Sequence, residues 1–166
     1  MIRLARVEDF DAIWPFFARV VRAGETYAFD PSMQADEARA YWMAPTVRTY
    51  VAERDGVLEG TYLLRPNQPG MGNHVANAAF MVDPDRAGRG IGRALVEHCL
   101  VEARALGYLA MQFNFVVATN LRAIALWESV GFCIVGTLPR AFRHRELGFV
   151  DAHVMYRALE ESGDSP

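Results

Sequence analysis

Two asparagines in apolar segments are the first residues whose positions suggest chemistry. Asn77 lies within VANAAFMVDP (residues 75–84) and Asn114 within MQFNFVV (residues 111–117). A buried amide without a partner costs about 1–3 kcal/mol, so each side chain must meet either neighbouring backbone or a ligand. An amide oxygen can accept a hydrogen bond from an amine, but an amide does not titrate usefully and cannot act as the base.

A glycine-rich turn between a strand and a helix is the second indication of chemistry. The segment MVDPDRAGRGIGRALVEH (residues 81–98) places Gly88, Gly90 and Gly92 at the start of a helical pattern. Glycine lets a ligand approach the backbone, and the free N–H groups of a helix start favour an anion such as pyrophosphate. The Lys-Ser/Thr pair of a P-loop is absent, and alternating glycines do not match the Rossmann pattern. A turn without a ligand is the remaining alternative.

The hydrophobic pattern predicts the elements that position these residues. Asp55-Gly56 indicates a tight hairpin, and Ser32 is a plausible cap of the second helix. The order β-α-α-β-β-β-α-β-α-β-β predicts an α+β fold around a single mixed sheet, as one domain over 1–160 with a disordered tail at 161–166. Strands are predicted at 1–6, 47–54, 57–65, 75–84, 108–117, 132–138 and 152–159, and helices at 7–22, 32–43, from the glycine turn to 106, and at 120–130.

Composition narrows the classes of function. The chain has 166 residues, of which 52% are hydrophobic, and a formal charge of -3, so nothing suggests affinity for nucleic acid. No apolar run reaches the length of a membrane span and no secretory signal is evident, so we expect a cytoplasmic protein without a membrane partner. Cys99 and Cys133 lack the spacing of a metal site, and both are interpreted as core residues. No metal is expected.

The glycine turn resembles motif A of the GCN5-related N-acetyltransferases (GNAT), whose pattern is Q/R-x-x-G-x-G/A. Residues 87–92, AGRGIG, match its glycines, whereas Ala87 stands where the family has glutamine or arginine. The following helix, the next strand, NLRAIALWESVGF (residues 120–132) and the final hairpin match the family in order and spacing. The resemblance implies a mostly antiparallel mixed sheet with helices on both faces and a V-shaped splay between two central strands.

The resemblance also implies that acetyl-CoA is the acetyl donor and co-substrate. Its pyrophosphate would be held by the amides of the glycine turn, and its pantetheine arm would pair with the strand at 80–82. A main-chain N–H near Val82 would stabilise the oxyanion that forms on attack. Asn120 matches an asparagine that contacts the cofactor, or it only caps its helix. The candidate cofactor-binding residues are Phe80, Met81, Val82, Gly88, Arg89, Gly90, Ile91, Gly92, Arg93 and Asn120.

Other residues are candidates for handling the acceptor. Asn77 and Asn114 would face the reacting amine and act by positioning it, and we interpret both as catalytic and substrate-binding. Glu25, Tyr27 and Phe80 complete the predicted substrate site, although the simpler interpretation of Glu25 is a solvated loop acid. Trp127 stands where many family members have an acidic tyrosine, and an indole N–H cannot act as an acid near neutral pH. No general acid is therefore assigned. No residue is assigned as the general base either.

The resemblance implies an acetyl-CoA-dependent N-acetyltransferase that acts on the amine of a small molecule, with amino acids and proline analogues among the candidates. A polyamine, a drug and a peptide N-terminus are the other acceptors left open. Asn77-x-x-Phe80, Asn114, Asn120 and GFVDAHVMY (residues 148–156) are also similar to the fungal azetidine-2-carboxylate N-acetyltransferases. The absent tyrosine supports an alternative, a degenerate module that binds acyl-CoA as a sensor or scaffold. Family members often form homodimers, so a homodimer is allowed. A basic run before the last strand comprises Arg140, Arg143, His144 and Arg145. It would contact either the carboxylate of an amino-acid acceptor or a phosphate of the cofactor, and the alternative is a solvated loop.

Overall fold

The computed structural model describes residues 1–159, which form a seven-stranded sheet with two α-helices on each face. The expected disorder of 161–166 lies outside the described residues. The strands are β1 (Ile2–Leu4), β2 (Arg48–Arg54), β3 (Val57–Pro66), β4 (Val75–Val82), β5 (Ala110–Val117), β6 (Cys133–His144) and β7 (Gly148–Ala158). The helices are α1 (Phe10–Ala23), α2 (Ala35–Trp42), α3 (Ile91–Ala105) and α4 (Leu121–Ser129).

The sheet diverges at its centre, between β4 and β5. Its strand order is β1-β2-β3-β4-β5-β7-β6, and every neighbouring pair is antiparallel except β4 and β5. Those two parallel strands pair only at Val75 with Ala110 and at Ala76 with Met111. Beyond Ala76, β4 has no strand neighbour on this side, so the predicted α+β sheet with a V-shaped splay is confirmed.

Two apolar clusters hold the helices against the sheet. Phe17 of α1 and Trp42 of α2 pack in one cluster, whereas Leu95 and Cys99 of α3 pack in the other. Successive side chains of a strand alternate between the two faces. Ala79 accordingly packs with the α1–α2 cluster, and its neighbours in β4 pack with the α3 cluster. No helix within residues 1–159 is long and apolar enough to cross a membrane.

Several local signals act as the sequence predicts. Asp55 and Gly56 both have positive φ, 52° and 76°, as a tight hairpin turn requires. Asn120 caps α4 by accepting a hydrogen bond from the N–H of Ala123. The Ser32 cap was wrong, because Ser32 bonds Asp30 and α2 begins only after Gln34.

The largest error in the predicted elements concerns residues 139–151, which were expected to form a loop. β6 and β7 instead continue through this segment as a long hairpin. The strand pattern is hidden because β6 is an edge strand with most of its residues exposed, and because Arg140 has a φ of 53° where the register shifts. Cys133 is also exposed on β6, so its assignment to the core was wrong.

Candidate active site

A cavity of about 710 Å³ opens where β4 and β5 diverge. Its walls are β4 and the start of α3 on one side and β5 and α4 on the other, and the loop between α1 and α2 covers part of it. Because β4 has lost its neighbour here, the outward backbone groups of its second half need other partners. The cavity therefore combines an open strand edge with a helix N-terminus.

The glycine turn forms one end of this cavity. Gly88 and Gly90 have φ values of 85° and 78°, and no atom beyond the adjacent residues lies within 4 Å of where a Cβ would stand on either residue. α3 begins at Ile91, so the N–H groups of its first turn have no carbonyl acceptor within the helix. Gly92 serves packing, since a Cβ there would lie 3.4 Å from Leu126 of α4. The turn thus offers unobstructed amides that fit a diphosphate.

Most of the predicted cofactor-binding residues line this cavity. Arg89 does not line it, and its guanidinium instead lies 3.9 Å from Glu59. Trp127 also lines the cavity and packs against Phe80 and Phe113, with ring centroids 5.1 and 4.9 Å apart. The lining members of the predicted set are Phe80, Met81, Val82, Gly88, Gly90, Ile91, Gly92, Arg93 and Asn120.

Tyr27 occupies the open edge of β4. Its hydroxyl accepts a hydrogen bond from the N–H of Phe80 at 3.0 Å and donates one to the C=O of the same residue. The hydroxyl thereby replaces one rung of a neighbouring strand. Burial raises the pKa of Tyr27, so the phenol stays protonated. Its ring stacks on Phe29 with centroids 5.5 Å apart.

Asn77 lies in β4 at the apex of the splay. Its Nδ2 donates to the C=O of Gln112 on β5 at 2.9 Å, which spans the first point where the strands no longer pair. The side chain is buried yet lines the cavity. Within residues 1–159 its Oδ1 accepts no hydrogen bond, so this oxygen remains for a ligand. Asn77 can therefore bond the backbone and a ligand at the same time, so the two explanations that the sequence allowed for its buried amide do not exclude each other.

Asn114 lines the same cavity but is more exposed and already engaged. Its Oδ1 accepts from Gln112 Nε2 at 2.8 Å, and its Nδ2 donates to Asn67 Oδ1 at 2.7 Å. An acceptor amine would have to share Oδ1 with Gln112, on a side chain that is exposed to solvent. The geometry consequently favours Asn77 over Asn114 as the residue that holds an amine.

Other candidates lie outside the cavity. Glu25 is exposed and is not among the lining residues, in contrast to its neighbour Tyr27. The basic run also makes no part of the lining: Arg140 and Arg143 lie over the Phe149 ring, and Arg145 bonds the backbone at the end of α1. The structure therefore gives neither Glu25 nor the basic run a direct contact with this cavity.

Sequence reasoning missed the charge of the cavity. Of its lining residues in the described chain, none is Asp, Glu, Lys or His, and the charged ones are Arg65, Arg93 and Arg122. Arg65 belongs to β3, where its Cα pairs with that of Asn77. Because the lining lacks a carboxylate, the cavity suits an anionic rather than a cationic ligand. No group of His, Cys, Asp and Glu within residues 1–159 could hold a metal ion.

Comparison with known sequences matches this chain to acetyltransferases and acyltransferases. The model of the acetyltransferase (GNAT) family matches residues 10–132. N-acetyltransferase aca1 of Schizosaccharomyces pombe is 31% identical over 151 residues, which are 81% of this chain and 72% of the relative. L-amino acid N-acyltransferase MnaT of Escherichia coli is 29% identical over 143 residues, which are 84% of this chain and 83% of the relative.

Comparison with solved structures gives the same fold. A GCN5-related N-acetyltransferase from Kribbella flavida superposes with a TM-score of 0.91 at 46% identity, covering 95% of this chain and 96% of the other. The putative acetyltransferase yncA from Salmonella typhimurium, solved with its cofactor acetyl-CoA, superposes with a TM-score of 0.85 at 24% identity, covering 100% and 97%. The second likeness shows the fold alone.

Proposed function

Because the chain belongs to the acetyltransferase (GNAT) family and is an acetyl-CoA-dependent N-acetyltransferase, we propose that its acceptor is the amine of a small molecule. We further propose that amino acids and their analogues are the acceptor class. The observation that carries the proposal is the cavity lining, which among the described residues contains no acid and includes Arg65 beside Asn77. The relative described as an L-amino acid N-acyltransferase supports the same class.

The proposed reaction places the two substrates on different parts of the cavity. The glycine turn and the backbone of 80–82 would hold acetyl-CoA, and the acceptor would enter between Asn77, the α1–α2 loop and α2. The neutral amine attacks the thioester carbonyl carbon, the C–N bond forms, the C–S bond breaks, and CoA leaves as a thiolate. The acceptor's ammonium form would lose one proton to water before the attack, and the nitrogen would lose a second proton to water as the neutral amide forms. Water takes both protons because the described lining offers no carboxylate or imidazole as a base.

Asn77 would contribute by positioning. Its Nδ2 donates to the C=O of Gln112, which also restrains the orientation of Oδ1, and the residue lines the cavity. An amide oxygen accepts an N–H bond from the amine and turns the nitrogen lone pair toward the acyl carbon. Trp127 packs among aromatic side chains and donates no proton, so the thiolate would leave without a general acid. By analogy with cysteine, whose thiol has a pKa of about 8.5, the CoA thiolate is a good leaving group.

An acceptor screen tests the proposal. Thiol release from acetyl-CoA is measured with the standard amino acids, azetidine-2-carboxylate, polyamines, and a peptide with a free N-terminus. We expect turnover with a subset of the amino acids or analogues and none above background with polyamines. Preferential turnover of polyamines or of the peptide would refute the acceptor class. Binding of acetyl-CoA without thiol release for any amine would favour the sensor or scaffold instead.

The homodimer and the cytoplasmic location remain predictions. The edge strand β6 exposes Ile134, Val135 and Leu138, which supports a homodimer through this strand; light scattering of the wild type and of Val135→Asp would test it. Cell fractionation would test the cytoplasmic location.

A further inference from the structure

Arg65 is a half-buried cation at the acceptor end of the cavity. It is in β3, its guanidinium lies 5.3 Å from the centroid of the Tyr41 ring, and its Nη2 donates to the Tyr41 hydroxyl at 3.1 Å. Both residues line the cavity. A hydroxyl and a ring face orient the guanidinium without neutralising it, because neither carries a formal charge.

No protein carboxylate balances this charge. The ion pairs within residues 1–159 involve other arginines and leave Arg65 out, and the described cavity lining contains no Asp or Glu. Arginine keeps its proton at any accessible pH. A cation that is partly removed from water is normally paired, so the arrangement calls for an anionic group of a ligand.

The position of Arg65 relative to Asn77 indicates how that ligand is built. The two residues are directly opposite in the antiparallel β3–β4 pair, and side chains so placed have Cβ atoms about 4.5–5.5 Å apart. An amine held by Asn77 therefore has its anionic group close by. In an α-amino acid one carbon separates the amine from the carboxylate, and a guanidinium fork binds a carboxylate through two parallel hydrogen bonds.

The phosphates of acetyl-CoA do not explain Arg65. The glycine turn, Arg93 and Arg122 belong to the α3 and α4 walls of the cavity, at the end where β4 finishes. Arg65 instead lies opposite the start of β4, where β4 and β5 have only begun to separate. Arg93 and Arg122 are thus at the end of the cavity assigned to acetyl-CoA, whereas Arg65 is at the end assigned to the acceptor.

We propose that Arg65 determines acceptor specificity by binding the α-carboxylate of the amino acid whose amine is acetylated. This inference rests on the proposed function and deepens it. The neighbouring ring of Tyr41 holds the guanidinium in place and, with Phe29, forms an aromatic wall for the acceptor's side chain. An amine without an adjacent carboxylate leaves the guanidinium unpaired and binds more weakly.

The test compares Arg65→Gln with the wild type on matched acceptors. Each amino acid that the wild type acetylates is assayed beside its carboxamide, which keeps the amine and the side chain but has no negative charge. We expect Arg65→Gln to raise KM about 10- to 100-fold for the amino acid, as the loss of a charge-assisted pair implies, and less than twofold for the carboxamide. Arg65→Lys should recover part of the loss, because it keeps the charge. Arg48→Gln, an exposed position outside the cavity, is the matched control.

Each outcome decides the question. Equal loss on the amino acid and its carboxamide would assign Arg65 a structural role and overturn the inference, and unfolding curves would show whether stability had fallen as well. A wild type that acetylates carboxamides and esters but no amino acids would also overturn it, while leaving amine acetylation intact. No thiol release with any amine would instead refute the proposed function itself.

Discussion

Replacing Tyr27 by phenylalanine removes one hydroxyl from the open edge of β4 and leaves the ring that stacks on Phe29. Two hydrogen bonds to the backbone of Phe80 are lost, each with a net value of about 0.5–1.5 kcal/mol. We therefore expect the ligand-free variant to be about 1–3 kcal/mol less stable. For a domain of this size, that lowers Tm by about 2–12 °C.

The effect on acetyl-CoA binding should have the opposite sign. The pantetheine arm is predicted to pair with residues 80–82, so acetyl-CoA needs the backbone groups of Phe80 that the Tyr27 hydroxyl occupies. In the wild type, binding must first break those two bonds, whereas Tyr27→Phe has none to break. The same 1–3 kcal/mol then appears as an affinity for acetyl-CoA that is about 5- to 150-fold higher.

Thermal unfolding without ligand and calorimetry with acetyl-CoA measure the two effects. Tyr108→Phe is the matched control, because it removes the hydroxyl of a half-buried tyrosine that does not line the cavity; it should leave the affinity unchanged. A Tyr27→Phe variant with lower stability but unchanged or weaker binding would refute the competition for Phe80. In that case the Tyr27 hydroxyl of the wild type keeps its bonds to Phe80 when acetyl-CoA binds, and the pantetheine arm pairs with other residues of β4.

Three further predictions address the donor, the amide and the base. Gly90→Glu should weaken acetyl-CoA binding by about 100-fold or more in calorimetry, because it adds negative charge and a Cβ at a φ of 78°; unchanged affinity would exclude the glycine turn as the pyrophosphate site. Asn77→Ala should fold, lose about 1–3 kcal/mol of stability because the C=O of Gln112 loses its partner, and lose turnover in the thiol-release assay; full activity would leave Asn77 with a structural role alone. At saturating acetyl-CoA, kcat/KM should rise about tenfold per pH unit up to the pKa of the acceptor amine, because the described lining supplies no base and burial raises the pKa of Tyr27. A plateau well below that pKa would reveal a base.

Much of the fold could be predicted because its signals are local. Asp55-Gly56 needs only the turn conformation, and the helix cap at Asn120 needs only its own next three residues. The hairpin of β6 and β7 was missed over residues 139–151 because its strands are largely exposed. An exposed edge strand has no buried face to impose alternation on the sequence.

The site divides in the same way. The glycine turn is contiguous, so its amides could be found from the sequence alone. Arg65 could not be assigned to the acceptor, because its place beside Asn77 depends on the register of β3 and β4 across an eight-residue loop. The bond of Tyr27 to Phe80 likewise joins positions 53 residues apart. Glu25 illustrates the converse, since adjacency to Tyr27 in sequence did not bring it into the cavity.

The splay of β4 and β5 explains why the structural and functional roles of these residues coincide. Separating two strands opens a cleft for a thioester and also deprives backbone groups on both strands of partners. Asn77 satisfies the C=O of Gln112 at the apex, and Tyr27 satisfies Phe80 farther along. Both side chains lie at the reaction site because they bond backbone groups that the splay leaves without strand partners. Acetyl-CoA is expected to bind backbone groups of the same strand edge. A residue that stabilises the open strand edge is therefore already within reach of the substrates, and losing it should affect stability and turnover together.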